Sequence, residues 1–166
     1  VGDTDYKYDV ASLFSKIEEN MYKLRDYMYE NIDNEEIIDQ TKFIKDSIKL
    51  LRKNLRKNRT KFLENHDEEN LTSYSVNKGE ELVLCVRNQN ATKLQDINTM
   101  MYVSIHEMAH MGCHEIGHTD LFHKIFKYYL QIAVKIGIYK KEEYFVTRPN
   151  YCGMVLTTNI LNDNLI

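Results

Sequence analysis

The run His106-Glu107-Met108-Ala109-His110 constrains this chain more than any other feature. Four residues along an α-helix advance about 400° and about 6 Å, so the two imidazoles return to nearly one face and can reach a single ion. The run must therefore be helical, and its surroundings meet that condition. Ile97, Met100, Met101, Val103, Ile105, Met108 and Met111 make a helical apolar pattern, Asp96 is a candidate cap and Gly112 a natural stop. H-E-x-x-H in such a setting points to zinc held by His106 and His110. Glu107 has the right chemistry to take a proton from a metal-activated water and return it to a departing amine.

A catalytic zinc takes three protein ligands and leaves one position open. His114, His118, Asp120 and His123 all follow closely. His114 continues the four-residue series only if the helix runs through Gly112, and three ligands in one line surround an ion poorly. His118 follows Gly117, where a turn can bring it back from another direction, so it is the expected third ligand. Glu142 and Glu143 are later alternatives, and a metzincin spacing would fall on Ile116, which cannot ligate.

Before the motif, Val10, Leu13, Phe14, Ile17, Met21, Leu24 and Met28 recur at three- and four-residue steps, predicting a helix from about Tyr8 to Asn31. A second helix is expected from about Asn34, capped by Asp33 or Asn34, with Ile37, Ile44, Ile48, Leu51 and Leu55 on its buried side. After the polar stretch from Asn65 to Asn70 the period changes. Tyr74 and Val76, then Asn77-Lys78-Gly79, then Leu82 to Val86 read as two strands around a tight turn. Beyond the motif, a supporting helix should start at Thr119 or Asp120 and end at Gly137. The remainder, with short fragments around Glu142 to Tyr144 and Met154 to Thr157, looks less regular. These elements imply one α+β domain over 1–166, with a helical hairpin over 1–64 and a core over 70–166 that holds a small sheet beside the motif helix.

Composition excludes some function classes. The net charge of −3 does not indicate nucleic-acid binding by bulk attraction. A local run of cations from Lys45 to Lys61 reads as the solvated face of a helix, since Asp46 and Glu64 flank it and no aromatic platform is interleaved. No stretch approaches the length of about 18 apolar residues that a membrane span needs. Cys85, Cys113 and Cys152 are an odd number without zinc-ribbon spacing, which favours a reducing intracellular location, with Cys113 a small buried residue rather than a ligand. Three N-x-T sequons, at Asn58, Asn70 and Asn90, reflect an Asn-rich composition. The opening Val1 suits an excised or processed domain.

His106-Glu107-Met108-Ala109-His110, with Gly117-His118 and Phe122 four positions later, resembles the WLM and SprT-like zinc metallopeptidases. The stretch from Asp96 through Gly137, with Tyr151-Cys152-Gly153 beyond it, is most similar to the WLM-type members of large DNA viruses. Seven residues separate His110 from His118, against five in most WLM members. The resemblance implies a zincin-like fold, with His106, His110 and His118 as zinc ligands, Glu107 as base and Phe122 packed beneath the site. It covers roughly the last half of the chain.

Three further expectations follow. The strand Leu82 to Val86 is either an edge for pairing with an extended protein or peptide substrate or an ordinary core strand. Tyr144 and Tyr151 are candidate donors to a developing oxyanion, although packing is the simpler role for each. The expected function is zinc-dependent peptide hydrolysis, and its rivals are a non-enzymatic structural or virion-associated module and a DNA-protein crosslink repair protease.

Overall fold

The computed structural model describes residues 2–66, 73–87, 94–142, 150–151, 154–155 and 159–162, with side chains placed for 9–66, 73–87, 94–142 and 159–161. The architecture is α+β, as expected. Four helices, α1 (Gly2–Glu30), α2 (Lys42–Asn54), α3 (Ile97–Met111) and α4 (Asp120–Lys135), accompany strands β1 (Lys61–Glu64), β2 (Tyr74–Val76) and β3 (Glu81–Leu84). A two-residue pair, β4 (Asn150–Tyr151) and β5 (Met154–Val155), and a short 3-10 turn (Ile160–Asn162) follow.

Helix α3 is the centre of the molecule and packs against α1, α2 and α4. Its apolar residues are spread around the cylinder, and Met100, Met101, Ile105, Met108, Ala109 and Met111 are wholly buried. Ile17, Met21, Leu24 and Met28 of α1 and Ile44, Ile48 and Leu51 of α2 close the core from one side, and Ile125, Tyr129 and Leu130 of α4 from another. Each such side chain stabilises the fold by about 1.5–3 kcal/mol on leaving water. Among the described residues no helix is long and apolar enough to cross a membrane.

Helices α3 and α4 begin where their caps predict. The Asp96 carboxylate accepts from the Thr99 amide and the Thr119 hydroxyl from that of Phe122, each satisfying a free donor of the first turn. Helix α2 does not. It begins at Lys42 rather than near Asn34, because Asn34 and Asp39 spend their side chains on local turns, accepting from the amides of Glu36 at 3.0 Å and Thr41 at 2.8 Å. These turns compete with helix formation. At the far end of α2, the Leu55 carbonyl accepts from the buried Arg25 guanidinium at 2.6 Å, tying α2 to α1.

The sheet has the order β1-β3-β2, with β3 parallel to β1 and antiparallel to β2. This decides between the two expectations for Leu82 to Val86. That strand is paired on both sides, so β1 and β2 are the edges, and β2 is the edge that lies against α3. Strand β1 lies inside the segment expected to be a helical hairpin. The four-residue β2–β3 connection places Asn77, Lys78 and Gly79 at φ of 48°, 50° and 117°, left-handed backbone that costs Asn and Lys more than glycine. Cys113 is free and buried, whereas Cys85 is disulfide-bonded, a departure from the thiol state expected in reducing surroundings.

Candidate metal centre

His106 and His110 lie one turn apart on α3, with their Nε2 atoms 3.2 Å from each other. Gly112 ends the helix, and Gly117, at φ 87°, turns the chain so that His118 comes back over it. A side chain at Gly117 would meet no neighbour, so backbone conformation alone calls for glycine there. The result is a second 3.2 Å approach, between the Nε2 atoms of His118 and His106, and all three donor atoms lie within 4.8 Å of one another.

These spacings test the fit to zinc. A tetrahedral ion with Zn–N bonds of about 2.0–2.1 Å holds its ligand nitrogens about 3.3 Å apart, close to the 3.2 Å that two of the pairs show. Three imidazoles without a thiolate suit zinc among the common biological ions, and three ligands leave a position open.

The surroundings keep the rings neutral and aimed. Burial, then the like charges of His110, His118 and His123, drives the His106 pKa down to about 3. Burial, then His118 and Lys78, takes His110 down to about 4. Both therefore offer a lone pair at neutral pH. Phe122, 1% exposed, underlies all three rings. Its ring stacks on His110 at 4.1 Å between centroids and meets His106 at 5.0 Å and His118 at 5.1 Å, which agrees with the packing role expected for it.

Glu107 lines the same cleft as the three histidines, beside Ser75 of the edge strand β2. It is 6% exposed, and burial raises its pKa to about 7 against the opposing effect of hydrogen bonds from the hydroxyl and main chain of Ser75. Sequence reasoning missed Ser75, because a serine in a three-residue strand carries no signal until the strand is placed beside the helix. Lys78 was missed for the same reason. Its Nζ donates to the carbonyls of Cys113 and of Glu115, holding the loop that leads to His118. Ser75, Lys78, Glu107 and the three histidines are among the residues that line one open cleft of about 490 Å³.

Other expected residues fall elsewhere. His114 is exposed and lines a cavity on the far side of the loop with Phe43 and Leu121, so it is not a ligand. His123 stacks behind His118 at 6.3 Å and stays outside the cluster, as does exposed Asp120. The Glu142 carboxylate accepts from Asn98 at 2.8 Å. Glu143 and Tyr144 lie outside the described residues, and Tyr151 is described in its backbone alone.

Comparison with known proteins finds viral relatives. Uncharacterized protein R325 of Acanthamoeba polyphaga mimivirus is 34% identical over 155 residues, covering 93% of this chain and 75% of its own length. Uncharacterized protein 042R of Invertebrate iridescent virus 3 is 40% identical over 86 residues, and 136R of Invertebrate iridescent virus 6 is 36% identical over 87. These two matches span 52% and 47% of the iridescent-virus proteins. No family model matches the chain, and no solved structure does.

Proposed function

The chain belongs to the family of the mimivirus protein R325, and from that premise we propose that it is a zincin-like metallopeptidase of WLM or SprT type that hydrolyses peptide bonds. The observation that carries the reading is the set of three converging imidazole nitrogens with a buried carboxylate, Glu107, on the same helix turn. A purely structural zinc site is closed by four ligands and gains nothing from a carboxylate poised near neutrality.

His106, His110 and His118 would hold the ion. When bound, zinc would acidify a water and polarise a peptide carbonyl. Glu107 takes the proton from the attacking water and delivers it to the amine nitrogen as the C–N bond breaks. A carboxyl with a pKa of about 7 suits both halves of that transfer at neutral pH. Ser75 orients the carboxylate from the edge strand, and an extended protein or peptide substrate would run beside β2 rather than β3.

The test is metal analysis paired with a peptidase assay on wild type, Glu107→Gln and His118→Ala. About one zinc per chain should be found in wild type and in Glu107→Gln, with activity present in the first alone, and zinc binding should weaken in His118→Ala. Equal activity in wild type and Glu107→Gln would remove the carboxylate from the reaction. A wild-type chain that takes up no zinc would end the reading altogether.

A further inference from the structure

Among the described residues Ile116 is 89% exposed, and the next most exposed large apolar side chain, Tyr74, reaches 46%. A single apolar residue on a surface needs no explanation by itself. The place of this one sets it apart. Ile116 stands between Glu115 and Gly117 in the loop that delivers His118, and it lines the metal cleft together with the three histidines and Glu107.

The loop holds that side chain out in front of the site. The Lys78 ammonium donates to the carbonyls of Cys113 and Glu115, and the Thr119 hydroxyl donates to the Glu115 carboxylate at 2.7 Å, so the chain is tied down on both sides of residue 116. A β-branched side chain on a fixed backbone has few rotamers to lose, so an apolar contact made there carries a small ordering cost. The same bonds engage the charges around it. Lys78 is held by the two carbonyls and Glu115 by Thr119, Glu107 faces Ser75, and the Asn77 amide donates to Glu80 at 2.8 Å. What the cleft offers to a substrate side chain is therefore apolar contact rather than an ion pair.

From this we infer that Ile116 sets substrate choice, by packing against a bulky apolar side chain of the substrate close to the scissile bond. The inference rests on the peptidase reading and adds to it the chemical class of residue that the cleft selects. Other occupants fit the position less well. A stable contact with a second copy of the chain needs about 800 Å² from each partner, far more than one isoleucine supplies. An interfacial element sets a continuous apolar face into lipid, whereas Ile116 is surrounded in sequence by His114, Glu115 and His118.

The experiment is fluorescence anisotropy of short labelled peptides titrated with the full chain carrying Glu107→Gln and loaded with zinc, so that binding is read without turnover. The peptides share a Gly, Ser and Ala sequence and differ at one central position, which is Leu, Gln, Lys or Glu. The Leu peptide should bind about 10-fold more tightly than the other three. Adding Ile116→Ser should erase that difference while zinc content and the circular dichroism spectrum stay the same. Adding Ile116→Lys instead should favour the Glu peptide about threefold at low salt, a gain that misfolding cannot mimic. The inference is overturned if no peptide binds, if all four bind equally, or if the Leu preference survives either substitution. Zinc content measured on the same preparations separates the two readings. A zinc-loaded chain that binds the peptides without preference overturns the role of Ile116 and leaves the peptidase reading standing, whereas a chain that takes up no zinc ends both.

Discussion

The Nζ of Lys78 lies 2.9 Å from the carbonyl oxygen of Glu115, reaching across from the β2–β3 turn to the loop that delivers His118. Lys78 holds that position from a backbone φ of 50°, a conformation that costs a residue with a Cβ roughly 1–2 kcal/mol. Removing the ammonium and relieving the backbone can therefore be separated. Lys78→Gly should relax the turn while freeing the loop, so zinc affinity should fall about 10- to 100-fold, as for other outer-sphere partners of a metal site, with no loss of apo-protein stability. Lys78→Met should lose the same affinity without the relief. Competition with a chromophoric chelator, alongside thermal melts of the apo forms, checks both.

Gly112 has a different reason to be glycine. Its φ of −92° is open to any residue, but a Cβ there would lie 2.0 Å from the Tyr129 hydroxyl and 2.9 Å from that of Ser47, two groups already bonded to each other at 2.6 Å. Gly112→Ala should destabilise by about 1–3 kcal/mol or more, as overpacked cores do. In a Tyr129→Phe background the same substitution should cost distinctly less, since the closest atom is gone. Urea denaturation of the four proteins of this cycle gives the coupling, and a fully additive result would mean that the clash is not what the glycine avoids.

Buried phenols make the fold sensitive to alkali. Burial, then the Glu18 charge, raises the Tyr22 pKa to about 12, and burial raises that of Tyr129 as well. A folded-state value above the unfolded one means that the stabilisation is complete below about pH 10 and is lost as pH rises through the folded value. Stability should thus decline from about pH 10 toward pH 12, by on the order of 2 kcal/mol for Tyr22 alone. Denaturant midpoints measured between pH 8 and 12 should fall less steeply in Tyr22→Phe than in wild type.

What was readable in the sequence follows from how local each cause is. The limits of α3 and α4 were legible because Asp96, Thr119 and Gly112 act on amides and carbonyls within a few residues of themselves. The start of α2 misled for the same reason, since Asn34 and Asp39 offer cap-like side chains and use them in turns. Strand β1 was invisible because Lys61-Phe62-Leu63-Glu64 becomes a strand through parallel pairing with Glu81 to Leu84, about 20 residues away. Likewise Leu82 to Val86 could be read as a strand, either edge or core, and the pairing with β1 and β2 on its two sides decides for core. The histidine set was legible from spacing and the Gly117 bend, while Ser75 and Lys78 reach the site through a fold that no local pattern announces.

Phe122 is the side chain on which all three imidazoles rest, so its two contributions, volume and ring, can be tested apart. Phe122→Ala would leave a cavity beneath the site and should destabilise by about 3–5 kcal/mol, with zinc affinity falling along with rotational order in the histidines. Phe122→Leu keeps most of the apolar volume and should cost less, about 1 kcal/mol. It still removes the flat surface that stacks on His110 at 4.1 Å. If the ring orients the ligands, Phe122→Leu should lose zinc affinity out of proportion to its stability, and the histidine ring resonances of the apo protein should broaden or shift. A variant that binds zinc as tightly as wild type would reduce Phe122 to a filler of space, with the α3 turn and the Gly117 bend alone left to aim the histidines.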